Sequence, residues 1–135
     1  MRFFIPQEPN EVTFDFYFEN EFVSAYDSFV RQMPSSYNVQ ALTDLTLYRI
    51  SFENLQKLYH QAPKGNFFGR MAAENMFVLK AKREISLLKN TAEERYLNLF
   101  DEQAHLIQKI PLKYIASYIG VTPQALSRIR RRIFS

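Results

Sequence analysis

The chain has 135 residues, a net charge of +3 and no cysteine. This length fits one domain, or a small domain joined to part of another. The lack of thiols excludes a cysteine-ligated iron–sulfur cluster or a thiol redox switch within the chain. No apolar run is long enough to span a membrane, and the first residues are interrupted too early to form a signal peptide. We therefore expect a cytoplasmic protein with no membrane partner.

The charged residues are unevenly distributed. Residues 1–88 carry nine basic and ten acidic side chains, whereas residues 89–135 carry eight basic and four acidic ones. No acidic residue follows Glu102. A basic end beside a nearly neutral body is typical of a nucleic-acid-binding module joined to another unit.

The first half of the chain predicts strands and one short helix. Residues 11–18 alternate apolar and polar side chains, as in a half-buried strand. Its apolar face would hold Val12, Phe14, Phe16 and Phe18. Residues 37–42 and 45–50 are two further candidate strands, and a short helix is predicted over residues 27–32, ended by Pro34.

The second half predicts helices. Ser51 is a suitable N-cap for a helix over residues 52–61, which Pro63 would end. A longer helix is predicted over residues 66–89, because its apolar residues alternate steps of four and three, the spacing of a coiled-coil seam. We expect it to be buried on two sides, against its own domain and against a second copy of the chain. The predicted dimer interface consists of Phe67, Met71, Val78, Ala81 and Ile85. The alternative is a helix buried wholly within the monomer.

Residues 110–133 have the pattern of a helix-turn-helix. Ala116 is small enough for a close helix crossing, and Gly120 can adopt the left-handed conformation that ends a helix. Thr122 is a suitable N-cap and Pro123 a suitable first residue for the second helix. Apolar residues stand where a tight helix pair must bury them: Ile115, Ile119, Val121, Leu126 and Ile129. Upstream, the capping box Thr91-Ala-Glu-Glu94 predicts a further helix that supports this pair.

The opposite face of the second helix is polar and basic. It carries Gln124, Ser127, Arg128 and Arg131, side chains that reach base edges and phosphates in protein–DNA complexes. The basic run 128–132 would add phosphate contacts, which strengthen binding without sequence preference. The alternative is an ordinary helical hairpin with a basic solvated end.

The order of these elements, with Thr91–Tyr96 and residues 115–130, resembles the Crp/Fnr family of transcription regulators. The resemblance covers nearly the whole chain and implies an α+β fold. Residues 1–62 would form a partial antiparallel β-roll of the cyclic-nucleotide-binding kind. A long dimerisation helix would follow at 63–90, and a winged-helix-like helix-turn-helix bundle at 91–135. The resemblance implies a transcription regulator that binds double-stranded DNA as a homodimer.

The resemblance also implies roles for individual residues. Arg128 stands at the position of the family's base-reading arginine, which prefers a guanine edge, and Gln124 would read a second base. The remaining predicted DNA-binding residues would mostly hold the DNA backbone: Thr122, Ser127, Arg130, Arg131 and Arg132.

Two departures from the family pattern concern the β-roll. The chain matches only the later part of the roll. The family's nucleotide cassette, a Gly-Glu pair followed by an arginine for the cyclic phosphate, is degenerate, with Asn20-Glu21 in the first place and Ser35 in that of the arginine. A phosphate without a cation is held poorly, so we predict that cyclic AMP is not bound and that Glu21 is an ordinary surface carboxylate. The roll would bind another small-molecule effector or serve only as a scaffold.

Catalytic and metal-binding patterns are lacking in the sequence. His60 and His105 are far apart and fit no metal-ligand spacing, and the three glycines form no phosphate-binding loop. We therefore expect no enzymatic activity, no cofactor and no metal. The main alternative function is a ligand-sensing or protein-interaction module whose helix-turn-helix serves only for packing. It predicts weak, salt-insensitive or absent DNA binding.

Overall fold

A computed structural model describes residues 1–8 and 10–134, apart from the side chains of residues 102–106. The fold is mixed α+β, as predicted, with a small three-stranded antiparallel sheet and six helices in the described residues. In chain order the elements are β1 (Arg2–Gln7), β2 (Asn10–Phe16), α1 (Tyr26–Arg31), β3 (Asn38–Gln40), α2 (Phe52–Gln61), α3 (Gly65–Lys89), α4 (Ala92–Ile107), α5 (Leu112–Ile119) and α6 (Pro123–Phe134).

The sheet has the strand order β2-β1-β3, and a β-bulge changes which side chains are buried. Phe3 pairs with Asp15 but Phe4 pairs with Thr13, so β2 carries one extra residue opposite β1. The alternation predicted for residues 11–18 is therefore wrong in part. Thr13 is 1% exposed, whereas Val12 on the predicted apolar face is 37% exposed.

Of the other two predicted strands, one forms only in part and one does not form in the described residues. The strand predicted at residues 37–42 is shortened to β3, and residues 45–50 form no strand. The segment 45–50 has no neighbouring strand to supply backbone hydrogen bonds, and its large apolar side chains are exposed. Strand β1 was not predicted, because Arg2 and Pro6 flank its short apolar run and hide the period of two.

The helices follow their predicted bounds closely. Ser51 caps α2 as predicted, its side-chain oxygen accepting a hydrogen bond from the N–H of Asn54 at 3.2 Å. Helix α2 ends at Gln61, before Pro63. It packs against the first turns of α3, where Gly65 lies so close to the α2 backbone that a Cβ there would be 2.1 Å from the Leu58 carbonyl oxygen.

Helix α3 is mostly exposed within one chain. Gly65 is its one buried residue in the described part of the chain, so the predicted burial against its own domain is wrong for most of its length. Helix α2 meets the N-terminal turns of α3, where the Tyr59 ring lies over Gly69. None of the described helices combines the length and apolar content that crossing a membrane requires.

The main hydrophobic core lies between α4, α5 and α6. Four of the five apolar positions predicted for the helix pair are buried there, and Val121 is partly buried. Phe16 of β2 joins the core from the sheet side. The buried core residues are Phe16, Tyr96, Leu99, Ile107, Ile110, Ile115, Ala116, Ile119, Leu126 and Ile129.

Candidate nucleic-acid interface

A glycine turn joins α5 to α6. Gly120 has φ 78°, the predicted left-handed conformation. Its N–H donates to the Ser117 carbonyl at 3.1 Å, and the Val121 N–H donates to the Ala116 carbonyl at 2.9 Å. This pair of bonds is a Schellman motif. Because the turn takes only residues 120–122, the direction of α6 follows closely from that of α5.

Alanine at Gly120 should lower the free energy of unfolding by about 1 kcal/mol. An added Cβ would lie 3.7 Å from the nearest atom, Nη2 of Arg95, so the loss would come from the backbone conformation and not from a clash. Asparagine tolerates left-handed φ better than alanine, so G120N should lose less than G120A. Urea unfolding of the parent, G120A and G120N would test this order. Equal stability of the parent and G120A would contradict it.

The start of α6 is capped as predicted. The Thr122 side-chain oxygen accepts a hydrogen bond from the Ala125 N–H at 3.2 Å, and Pro123 is the first helical residue. Leu126 and Ile129 are buried on the α5 side and fix the rotation of α6 about its axis. The seven predicted DNA-binding side chains are consequently all exposed: Thr122, Gln124, Ser127, Arg128, Arg130, Arg131 and Arg132.

Three arginines of α6 border one cleft of about 670 Å³. Arg128, Arg131 and Arg132 lie around an apolar floor that includes Ala125 and Ile129. Arg132 also forms an ion pair with Glu93 of α4, with 2.8 Å between Nη2 and Oε2. Exposed ion pairs contribute little to stability, so Arg132 could exchange Glu93 for a phosphate at small cost. The cleft concentrates positive charge on one side of α6.

Helix α4 packs against the α5–α6 pair. The predicted capping box is confirmed: the Glu94 N–H donates to Thr91 Oγ1 at 3.2 Å, and the Thr91 N–H donates to Glu94 Oε2 at 2.7 Å. The Thr91 N–H and hydroxyl both donate to the Glu94 carboxylate, and these two hydrogen bonds lower the pKa of Glu94 below its usual range. Tyr96 and Leu99 of α4 are buried in the core with α5 and α6.

Ser117 and Arg2 attach the sheet to α5, and sequence reasoning missed both. The Ser117 hydroxyl accepts a hydrogen bond from the Thr13 N–H at 2.8 Å and donates one to the Glu11 carbonyl at 3.2 Å. The guanidinium carbon of Arg2 lies 3.7 Å from the centre of the Tyr114 ring. A lone serine or arginine gives no sequence signal for such contacts, because they depend on how distant elements meet.

The predicted dimer interface is open to solvent. Four of its side chains on α3, those of Phe67, Met71, Val78 and Ile85, are 49–58% exposed. The fifth, Ala81, is half-buried. Large apolar residues exposed along one helix are characteristic of an interaction surface.

The residues of the degenerate nucleotide cassette bond within their own loops. Asn20 has φ 65° and is exposed. Glu21 is also exposed, and its carboxylate accepts a hydrogen bond from the Phe18 N–H at 2.8 Å. The Ser35 hydroxyl donates to the Tyr37 carbonyl at 2.8 Å. None of the three borders the clefts beside α6.

In the described part of the chain, no three histidine or acidic side chains cluster so that they could hold a metal ion. His60 is exposed in the last turn of α2. The side chain of His105 lies outside the described residues. Comparison with known proteins adds no assignment, because no protein-family model matches the chain and no curated protein matches it significantly.

Proposed function

We propose that this chain is a DNA-binding transcription regulator of the Crp/Fnr kind that acts as a homodimer. The observation that carries the proposal is the α5–α6 unit. Its turn, N-cap and buried face agree with those expected of a helix-turn-helix, and every predicted DNA-contacting side chain is exposed on α6 or at its N-cap. In this proposal α6 is the recognition helix and enters the major groove.

The charges of α6 suit this assignment. Arg128 and Gln124 would read base edges, while the neighbouring arginines would contact phosphates. The residues that follow Ile107 carry no acidic side chain, so nothing on α5 or α6 repels the DNA backbone. Pairing of α3 with its copy would place two recognition helices about 34 Å apart, in successive major grooves.

Regulation would act on the relative orientation of the two α6 helices of the dimer. A signal would shift the population between dimers whose spacing fits DNA and dimers whose spacing does not. We propose that cyclic AMP is not that signal. The loops of Glu21 and Ser35 bring no cation to a phosphate, and the side chains of both residues are engaged locally.

Fluorescence anisotropy with a selected palindromic duplex and a scrambled duplex, across a salt series, tests the function. We expect tight binding to the selected duplex and a steep loss with salt, because each neutralised phosphate lowers log K by about 0.9 per decade of salt. Equal weak binding to both duplexes, insensitive to salt, would favour the alternative in which this unit only packs against a partner.

Alanine at Arg128 should weaken binding to the selected duplex by about 1–3 kcal/mol and change binding to scrambled DNA little. The reason is that a base contact is lost only on the sequence that provides it. Arg49→Ala is the matched control, because Arg49 is an exposed arginine in the segment between β3 and α2. An equal loss on both duplexes would mean that Arg128 contacts only the backbone.

A further inference from the structure

The C-terminal end of α5 has four carbonyls that the helix itself leaves without partners. Two of them, those of Ala116 and Ser117, accept the hydrogen bonds of the Schellman turn. The other two, those of Tyr118 and Ile119, accept hydrogen bonds from arginine side chains of two different helices. All four are therefore satisfied, and the last two tie α5 to elements outside the α5–α6 unit.

Arg95 of α4 makes the more complete of these two contacts. Its Nε donates to the Ile119 carbonyl at 2.9 Å, and its Nη1 donates to the Asn90 carbonyl. Arg95 thus holds the end of α5 against the start of α4. Both helices belong to the same packed core, so this contact stabilises the unit internally.

Arg83 of α3 makes the second contact. Its Nη2 donates to the Tyr118 carbonyl, and its guanidinium carbon lies 3.7 Å from the centre of the Tyr118 ring. Its Nε is buried without a hydrogen-bond partner among the described residues, and burial lowers the pKa of Arg83. Burying the Arg83 guanidinium therefore costs desolvation free energy that its hydrogen bond to Tyr118 offsets only in part. Arg95, which donates to two carbonyls, offsets more of its own desolvation cost.

Arg83 joins the long helix directly to the turn that sets the direction of α6. Tyr118 lies four residues before the N-cap Thr122, and one rigid turn separates them. One turn earlier on α3, Lys80 forms an ion pair with Asp15 of β2. Arg83 is not part of the hydrophobic core between α4, α5 and α6, so the fold would remain without it. The angle between α3 and α6 would become less constrained.

We propose that Arg83 is a positioning residue that fixes the orientation of α6 relative to α3. The proposal rests on the proposed function, since orientation matters only if α3 pairs and α6 binds DNA. Arg83 touches no DNA in this arrangement. It acts through the Tyr118 carbonyl and ring, and the two recognition helices of a dimer would keep their spacing because each α3 holds its own α5 in this way.

Distance measurements between α3 and α6 test the proposal without DNA. The chain has no cysteine, so Asn75→Cys and Ser127→Cys introduce two unique spin-label sites, both exposed. Labelled chain would be mixed with an excess of unlabelled chain, so that each distance comes from one protomer. Arg83→Met should broaden the distance distribution. Arg70→Met is the control, because Arg70 is on the same helix, exposed and paired with Glu74. It should leave the distribution unchanged.

DNA binding by chains without added cysteines gives the second readout. Arg83→Met should weaken binding to the selected duplex about tenfold, equivalent to about 1.4 kcal/mol. Arg70→Met, with the same loss of charge, should weaken it much less. A merely structural role would lower binding to selected and scrambled duplexes in parallel with the unfolding temperature. Arg83→Gln is the second variant should Arg83→Met fail to fold, and the same criteria apply to it.

The outcomes separate the two proposals. An unchanged distance distribution in a folded Arg83 variant would overturn the positioning role, whatever happens to DNA binding. If the Arg83 variant broadens the distance distribution but the parent chain binds the selected and scrambled duplexes equally, the positioning role is supported and the proposed function is overturned. Broadening together with selective loss of binding supports both.

Discussion

Lysine in place of both Val78 and Ile85 should leave the chain monomeric and greatly weaken its binding to a palindromic duplex. Both side chains are more than half exposed in the single chain, so the double variant should fold as well as the parent. In the proposed dimer they are buried, and each is worth about 1.5–3 kcal/mol of apolar contact. A monomer contacts one half-site, and losing the linked second half-site should weaken binding at least about 100-fold.

Analytical ultracentrifugation and anisotropy on the same preparations would check this result. The control exchanges two exposed apolar residues outside α3, Phe22 and Tyr48, for lysine. It adds the same charge, so a nonspecific gain in DNA attraction appears in both variants and cancels in the comparison. A double variant of α3 that still sediments as a dimer would show that the partner surface lies elsewhere.

Alanine at Arg2 should lower the free energy of unfolding by about 3 kcal/mol. Arg2 is 1% exposed, and its side chain contacts β2, β3 and α5. Its guanidinium donates to Gln40 Oε1 at 2.7 Å and to Thr13 Oγ1 at 3.1 Å, and it forms an ion pair with Glu11. Its removal leaves the buried Thr13 hydroxyl without this donor and a cavity beside Tyr114.

Urea unfolding, read as a shift of the midpoint at constant slope, would measure the Arg2 effect. Arg49→Ala, an exposed arginine, should change stability by less than about 0.5 kcal/mol. Because Arg2 supports α5 from the sheet side, the Arg2 variant should also unfold as one unit with the α4–α6 core. A separate early transition confined to the sheet would contradict that coupling.

The helices were predictable because their signals are local. Ser51, Thr91 and Thr122 each cap a helix through hydrogen bonds that span only three residues. The left-handed turn at Gly120 is equally local, because a glycine directly after a helix adopts positive φ without steric cost. The outward face of α6 followed from the period of the helix, once the buried positions of Leu126 and Ile129 were assigned.

The sheet was harder to predict because its pattern depends on pairing. The bulge in β2 buries Thr13 and exposes Val12, which no alternation of residue types reveals. Residues 45–50 have strand-forming side chains, but a strand exists only where another strand accepts its hydrogen bonds. Strand β1 is held by Arg2, a residue type that is rarely buried and so argues against a core strand.

At the candidate site, the surface was predictable and its attachments were not. The exposed arginines of α6 are visible in the sequence, whereas Arg83 lies between the predicted seam positions Ala81 and Ile85 of α3 as an unremarkable charged residue. That the end of α5 needs donors is a general rule. Which side chains supply them depends on how α3 and α4 pack, and that is a tertiary property.

The Ser117 hydroxyl occupies the outer edge of β2, bonding the Thr13 N–H and the Glu11 carbonyl as a fourth strand would. Unpaired strand edges are templates for association between chains. Any movement that lifts α5 from the sheet leaves these two backbone groups open to a strand of another molecule. Release of α5, and of α6 that follows it after a short turn, would therefore also expose a sheet edge to which another chain could bind.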